Sequence, residues 1–566
     1  MRNSEIILGV INLQSKKSII SDLYRKLYNT NLYYDAYNEL SNWDDSLDKF
    51  KPHIDNIILS LKNNSYKWAK RESFNRKFKT ASLEIMKDLV LQKVIYKLLY
   101  AIYSNDFVKD TFGYMQDDTH LERALSRTLQ LSQGIEFFIR YDLSNLKHIQ
   151  MYNVIDILRA QLNINIHDNR FIELILSLLK TGFMSMSWES GKTFSGTDLG
   201  TELSELLFTI IAIPIDKFIK EEIVHKFTIN KYRDRDKTYR KYEREIRKET
   251  LKQNVDWKRV LILKKERNSK CAYSKALIKN TEYRRCGYIR YADQCILPFT
   301  GTYSDAVTVK NSIKTFIYDK YSVVIDICIS HVRKDPPVRF LNHDIIIQYS
   351  KHRRSVNGNP VYLIPKELVL KFKSRYMKQG YSRERPELTC MKVFDIVSQY
   401  QRIYTNIVQY YVYVRNKTEL NSLQWVMEES LSKTLAQKLK ISVSKVYKKY
   451  RSKLVKNGHT YPVIECNENG YKCYFGGIPL KKCNYSTISD YIINIFDTRG
   501  SFIDRLSNRV CSLCGSTENV QMHHINSLKN INKNYPIWLK MKMSMTRKTI
   551  PVCKKCHDRI HSGTFN

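Results

Sequence analysis

Near the C-terminus, the order Cys511-x-x-Cys514, His523-His524, Cys553-x-x-Cys556-His557 and His561 gathers residue types that bind metals. Two CxxC pairs supply four thiolates, enough to close a tetrahedral structural zinc site through Cys511, Cys514, Cys553 and Cys556. A structural knuckle has no use for four extra histidines, although a zinc module that only grips nucleic acid is the plainer alternative. A second candidate lies mid-chain, in Tyr288-Ile289-Arg290-Tyr291-Ala292-Asp293-Gln294-Cys295-Ile296-Leu297. Two apolar-aromatic runs around a tight acidic turn predict a β-hairpin. A carboxylate on such a turn can present a metal ligand for nucleotidyl transfer. The next residue, Gln294, cannot carry the charge of a second one.

At 566 residues the chain is too long for one core, so several domains must position these groups. Lys and Arg number 94 against 56 Asp and Glu, a net charge of +38. That excess points to a large polyanion as partner. No stretch approaches the ~18 consecutive apolar residues of a membrane span, so no membrane partner is expected. The start, Met1-Arg2-Asn3-Ser4-Glu5-Ile6-Ile7, has neither a secretory pattern nor the Arg/Ser richness of a transit peptide. Four of the 12 cysteines form the two CxxC pairs and the rest are scattered, which suits a reducing compartment.

Helical periodicity runs through 23–70 and resumes at 83–103 after a basic stretch. Residues 170–182 read as an amphipathic helix stopped by Gly182. Residues 217–270 alternate charges of both signs and read as a long solvated helix. Residues 366–460 are largely helical by period. There Lys433, Lys438, Lys440, Lys445, Lys448 and Lys449 form a cationic surface beside aromatic residues, suited to RNA phosphates. Tyr410 and Tyr411 read mostly as core.

Several of these stretches resemble the boxes of group II intron-encoded proteins. Tyr291-Ala292-Asp293-Gln294 is similar to the Tyr-Ala-Asp-Asp box of reverse transcriptases, with Gln294 replacing the second Asp. Thr111-Phe112-Gly113-Tyr114-Met115 resembles the Phe-Gly-Phe-Arg-Pro box without its Arg and Pro. Gly196-Thr197-Asp198-Leu199-Gly200 resembles Gly-Thr-Pro-Gln-Gly, with Asp198-Leu199 in place of Pro-Gln. In the register that aligns Asn145, Leu146 and His148, the first catalytic Asp position is Phe138; a shifted register promotes Asp142 instead. Tyr400-Gln401-Arg402-Ile403-Tyr404 and Lys433–Lys440 match the maturase X domain densely. The C-terminal cluster resembles an HNH endonuclease. That resemblance makes His524 the general base and His523, His557 and His561 ligands of a divalent metal such as Mg, beside the structural Zn.

The resemblance implies an α+β multidomain chain with right-hand reverse-transcriptase-like fingers and palm, a helical thumb/maturase X domain and a C-terminal zinc-bearing ββα-metal HNH module. Its implied boundaries are 1–22, an N-terminal segment; 23–365, fingers and palm; 366–470, the X domain; 471–510, a DNA-binding linker; and 511–566, the HNH module. The implied function is binding of a group II intron RNA and assistance of its splicing, with endonuclease action on double-stranded DNA. Asp293 and Gln294 then mark a relic polymerase site. The alternatives are a fully active mobile-element protein, copying RNA and cutting DNA, and a DNA endonuclease whose remainder holds a guide RNA. The resemblance is compatible with a homodimer. Composition and the N-terminal sequence point to an organelle-encoded protein of chloroplast or mitochondrion, or to a bacterial cytoplasm.

Overall fold

The computed structural model describes residues 3–15, 19–40, 47–68, 83–113, 118–148, 151–180, 191–192, 198–199, 202–230, 237–252, 254–270, 283–350, 356–456, 458–468, 470–480, 520–524 and 549–561. Cys511, Cys514, the basic stretch 70–77, most of Gly196–Gly200 and residues 481–510 of the expected linker lie outside them.

The chain begins with helices α1 (Asn3–Ser15), α2 (Leu23–Lys26), α3 (Thr30–Leu40), α4 (Leu47–Lys62) and α5 (Leu83–Tyr103). Next come β1 (Thr111–Phe112), α6 (Asp118–Leu131) and β2 (Phe137–Asp142), then α7 (Met151–Asn165) and α8 (Asn169–Lys180). A short ladder, β3 (Gly191–Lys192) with β4 (Asp198–Leu199), precedes the buried helix α9 (Glu202–Lys217), which continues into a π-helical turn, Phe218–Val224. Residues 217–270 do not form one long helix. Two helices, α10 (Lys237–Thr250) and α11 (Trp257–Lys270), fold back on each other, held by Arg267 over the Tyr239 ring at 5.2 Å and by Lys270 Nζ donating to Tyr242 Oη at 2.8 Å. Charge periodicity alone does not show such a break, because both helices keep a solvated face.

The central sheet is completed by β5 (Arg285–Cys286), β6 (Ile289–Tyr291), β7 (Gln294–Thr300) and, after α12 (Tyr303–Tyr321), β8 (Ile327–His331). Its order is β1-β6-β7-β2-β8, with β5 also pairing β7. Only β1–β6 is parallel among these pairs. Alternation along β2 divides the core. Phe137, Ile139 and Tyr141 pack with the N-terminal helices, α9 and α12. Phe138 packs on the other side with Ile289, Ile296 and the C-terminal helices.

A second sheet, β9 (Val338–Phe340), β10 (His343–Ile347) and β11 (Pro360–Leu363), leads to α13 (Lys366–Ser374) and the small ladder β12 (Met377–Lys378)–β13 (Tyr381–Ser382). Helices α14 (Val393–Tyr410), α15 (Thr418–Leu439) and α16 (Val443–Tyr450) follow. The expected helical run then ends. Strands β14 (Arg451–Lys456), β15 (His459–Glu468) and β16 (Tyr471–Gly476) form an antiparallel sheet, whose last two strands pack on α14. The boundary expected after residue 470 therefore falls inside the β15–β16 hairpin, where Glu468 pairs with Tyr471. At the C-terminus, β17 (Val520–His524) pairs antiparallel with β18 (Thr549–Cys553), which runs into α17 (Lys554–His561). Among the described residues, no helix is long and apolar enough to cross a membrane.

Candidate functional site

The β6–β7 hairpin forms as its sequence predicts, with Ala292 in the left-handed region at φ 50° and Asp293 buried at the turn. What holds the turn lies beneath it. Arg290 is fully buried and forks onto Asp216 of α9, Nε to Oδ1 at 2.9 Å and Nη2 to Oδ2 at 2.7 Å. Tyr288 Oη donates to the same Oδ1 at 2.6 Å, and Arg290 Nη1 donates to the Ala292 carbonyl at 2.9 Å. A buried cation with its hydrogen bonds filled fixes the backbone that presents Asp293.

Phe112-Gly113 serves the same turn. Ala292 N donates to Phe112 O at 2.9 Å. Gly113 has φ +86°, and a Cβ there would lie 2.6 Å from Ala292 N. Only glycine lets the two backbones approach this closely.

The strand register settles which residue of β2 neighbours the hairpin tip. Asp142 pairs with Gln294, while Phe138 pairs with Pro298, buried on the face away from the N-terminal helices. The register that put Phe138 at the first acidic position is thus corrected in favour of Asp142. Asp142 is exposed, and its Oδ1 accepts from Ser144 N at 2.6 Å. Leu143 N donates to Asp293 O at 2.7 Å, which sets the end of β2 against the turn. Two carboxylates, Asp142 and Asp293, therefore belong to one sheet end.

Gln294 makes a structural contact. Its Oε1 accepts from Leu341 N at 3.1 Å, in the two-residue turn between β9 and β10. Leu341 and Asn342 are both left-handed, at φ 49° and 55°. The Leu341 carbonyl accepts from Tyr410 Oη at 2.6 Å and faces His343 Nδ1 at 2.7 Å; Tyr411 Oη donates to Asn342 O at 3.3 Å. One turn thus joins the acidic hairpin to α14. His343 is fully buried among Tyr362, Tyr410 and Tyr411, and this burial pushes its pKa down to about 4 despite the backbone carbonyl beside it.

The Tyr400-Gln401-Arg402-Ile403-Tyr404 motif is mainly a packing device. Tyr400 Oη meets Ser430 Oγ at 3.0 Å, the Gln401 amide brackets Gly476, and Tyr404 Oη donates to Leu420 O. The six lysines divide in two. Lys433 Nζ donates to Ser382 O at 2.7 Å and pairs with Glu429; Lys438 Nζ donates to Thr389 O at 2.9 Å. These two tie the helix to its neighbours. Lys440, Lys445, Lys448 and Lys449 are exposed at and beyond the end of α15 and along α16. An open groove of about 800 Å³ adjoins them, rimmed by Lys392, Lys438, Lys449, Tyr450 and Arg451, with Glu465 and Glu468 on its lining. Lys392 carries no sequence signal of this role: it lies at the start of α14, remote in the chain from the other cations.

In the C-terminal unit, His523 and His524 stand on β17 opposite Ile550 and Thr549. Cys553 ends β18, and Cys556, His557 and His561 lie on α17. Cys553 and Cys556 are both buried. Two thiols withdrawn from water at a strand–helix junction suit a soft metal better than solvent. Their expected partners Cys511 and Cys514 lie outside the described residues, and no group of three metal-binding side chains occurs among the described ones.

Residues 359–487 match the type II intron maturase family, and residues 511–557 match the AI2M/AI1M-like HNH endonuclease family. The chain is 26% identical to the group II intron-encoded protein LtrA of Lactococcus lactis subsp. cremoris, over 99% of each chain. It is 24% identical to a putative COX1/OXI3 intron 2 protein of Saccharomyces cerevisiae, over 86% of this chain and 58% of that protein. A 24% identity to maturase K of Staurastrum punctulatum spans 33% of this chain and 31% of that one. The two domain matches stand in the order the sequence motifs require, a type II intron maturase domain followed by an AI2M/AI1M-like HNH endonuclease domain.

Proposed function

We propose that the chain binds a group II intron RNA through its maturase domain and holds that RNA in its folded, self-splicing form. The observation that carries this is the cationic face of Lys440, Lys445, Lys448 and Lys449 beside the Lys392–Arg451 groove, on the domain that matches the maturase family. Such a face neutralises phosphates, and the RNA supplies the splicing chemistry. The test is intron binding at increasing salt, wild type against Lys445→Gln/Lys448→Gln/Lys449→Gln. Removing a lysine that neutralises one phosphate lowers the salt slope by about one unit. Splicing at low magnesium should weaken in parallel. Unchanged intron removal in cells lacking the protein would sink the reading.

In this reading the central sheet is a reverse-transcriptase-like palm whose polymerisation has lapsed. The support is Gln294, which offers no negative charge and is engaged with Leu341, together with the altered boxes at Gly113–Met115 and Asp198-Leu199. A second reading, an active polymerase, draws on Asp142. With Asp293 it supplies two carboxylates at one sheet end, a minimum set for bridging two metals. Primer extension by purified protein separates the two. cDNA that disappears in both Asp142→Asn and Asp293→Ala would establish the second and refute the first.

The C-terminal unit is proposed as a zinc-stabilised HNH nuclease acting on double-stranded DNA. Cys553 and Cys556 fit zinc by donor chemistry and burial, with Cys511 and Cys514 completing the set. His524 takes the proton from the attacking water, and His523, His557 and His561 hold a divalent cation such as Mg. When bound, that cation would stabilise the leaving oxyanion. DNA nicking that vanishes in His524→Ala is the expected result; equal cleavage by both proteins would assign it to another base or a contaminant. The proposed location is a chloroplast, a mitochondrion or a bacterial cytoplasm.

A further inference from the structure

Cys466 of β15 and Cys473 of β16 are direct cross-strand partners in an antiparallel pair. Residues so opposed project on the same face of the sheet. Cys466 is buried and Cys473 half-buried; both are thiols, and each is near enough to shift the other's ionisation. Directly opposed antiparallel residues have Cα atoms about 4.5–5.5 Å apart, within the roughly 4.4–6.8 Å that a disulfide spans. Bond formation therefore requires rotation of side chains and no slippage of strands.

The surroundings supply access and a preference for one kind of reagent. Cys466 lines the open groove whose rim carries Lys392, Lys438, Lys449 and Arg451. Lys392 is paired with Glu468 and Glu465 also lines the groove, so Lys438, Lys449 and Arg451 leave it a net positive charge that favours a small anionic molecule. On the far side, Cys473 Sγ donates to the Phe394 carbonyl of α14 at 3.5 Å. Both side chains pack at the edge of the core, metal binding and RNA contact assign them no chemistry, and neither belongs to the CxxC pairs.

We propose that Cys466 and Cys473 form a reversible thiol–disulfide site whose co-reactant is an anionic low-molecular-weight disulfide, R–S–S–R. One protein thiolate attacks a sulfur of R–S–S–R, forming a mixed disulfide and releasing R–S⁻. The second protein thiolate then attacks the protein sulfur of that mixed disulfide, forming the Cys466–Cys473 bond and releasing the second R–S⁻. The two protons leave the protein thiols and end on the two released thiolates. The protein pair is oxidised by two electrons and the small disulfide is reduced by two. Burial, followed by the neighbouring Cys473, pushes the Cys466 thiol up to about 11, which slows the exchange at neutral pH. The bridge removes the thiol proton that Cys473 offers to Phe394 and ties β15 to β16 on the face packed against α14.

The proposal is independent of the reading of RNA binding, because it concerns only the chain's own thiols. The test uses full-length reduced protein and oxidised glutathione, raised until the exposed Cys328 and Cys390 carry glutathione. Free thiols are then alkylated and peptides mapped by mass. The expected product is one linked peptide pair, Cys466 to Cys473, two hydrogens lighter than the free peptides and cleaved by reductant. Cys466→Ser should leave a mixed disulfide or a free thiol at Cys473 and no link. Glutathione on Cys328 and Cys390 with both Cys466 and Cys473 still alkylated would overturn the proposal. So would a link from either cysteine to a different partner.

Discussion

Removing the Asp216 carboxylate should undermine the acidic hairpin from beneath. In Asp216→Ala, both arms of the Arg290 guanidinium fork go unanswered and Tyr288 Oη is left without its acceptor, while the bond from Arg290 Nη1 to the Ala292 carbonyl survives. Arg290 and Asp216 are 0% and 1% exposed, so water cannot replace the missing carboxylate. Breaking a buried pair from one side costs about 3–5 kcal/mol, a large share of the roughly 5–15 kcal/mol that holds a domain folded. Asp216→Asn keeps one carbonyl acceptor and should fall between wild type and Ala. Replacing both partners, Asp216→Leu with Arg290→Met, removes the charge together with its counter-charge and should recover most of the deficit. Urea denaturation gives the overall cost, and amide exchange across Tyr288–Gln294 reports the hairpin itself. If Asp216→Ala lies within about 1 kcal/mol of wild type, or the double variant is no better than the single, the pair does not support the turn as argued.

The His343 imidazole is held neutral by burial, near pKa 4 against about 6.5 when unfolded. Between those values the unfolded chain takes up a proton that the folded chain refuses, so stability falls as pH drops through that window, by about 3 kcal/mol in total. His343→Phe should flatten this acid limb in urea midpoints taken from pH 7 to pH 4.5, and an unchanged slope would assign it elsewhere. Gly113→Ala forces a Cβ toward Ala292 N and strains a left-handed residue. It should cost at least about 1 kcal/mol and speed exchange of the Ala292 amide.

Much of this arrangement is legible in the residues, and the misses have physical causes. The hairpin at Asp293 is marked by its aromatic flanks, and Tyr410 and Tyr411 are core residues as their context suggests. The spacing of Asn145, Leu146 and His148 draws Phe138 into the acidic position. Strand alternation argues otherwise: Phe137, Ile139 and Tyr141 claim one face, and Asp142 with Ser144 makes the turn that ends the strand. The β14–β16 sheet is hidden by lysines spaced as on a helix. Its signal is two Asn-Gly pairs, Asn457-Gly458 and Asn469-Gly470, since Asn-Gly is the strongest short hairpin marker. Gly458 and Gly470 indeed lie at φ 75° and 81°. The Arg290–Asp216 pair is not legible, because partners 74 residues apart leave no local pattern.

The engagement of Gln294 bears on what an acidic residue at its position would cost. Its side chain fills the Leu341 amide in a turn that already carries two non-glycine residues in left-handed conformations. An Asp at 294 is one methylene shorter and would withdraw from that amide while placing a second carboxylate beside Asp293. Gln294→Asp then weakens the turn that Tyr410, at the end of α14, and Tyr411 just beyond it also grip. A carboxylate at 294 is thus opposed by the turn that receives the Gln294 side chain. One turn therefore carries a preference at residue 294 from the sheet to the maturase domain, since its Leu341 amide meets the Gln294 side chain and its Leu341 carbonyl is held by Tyr410.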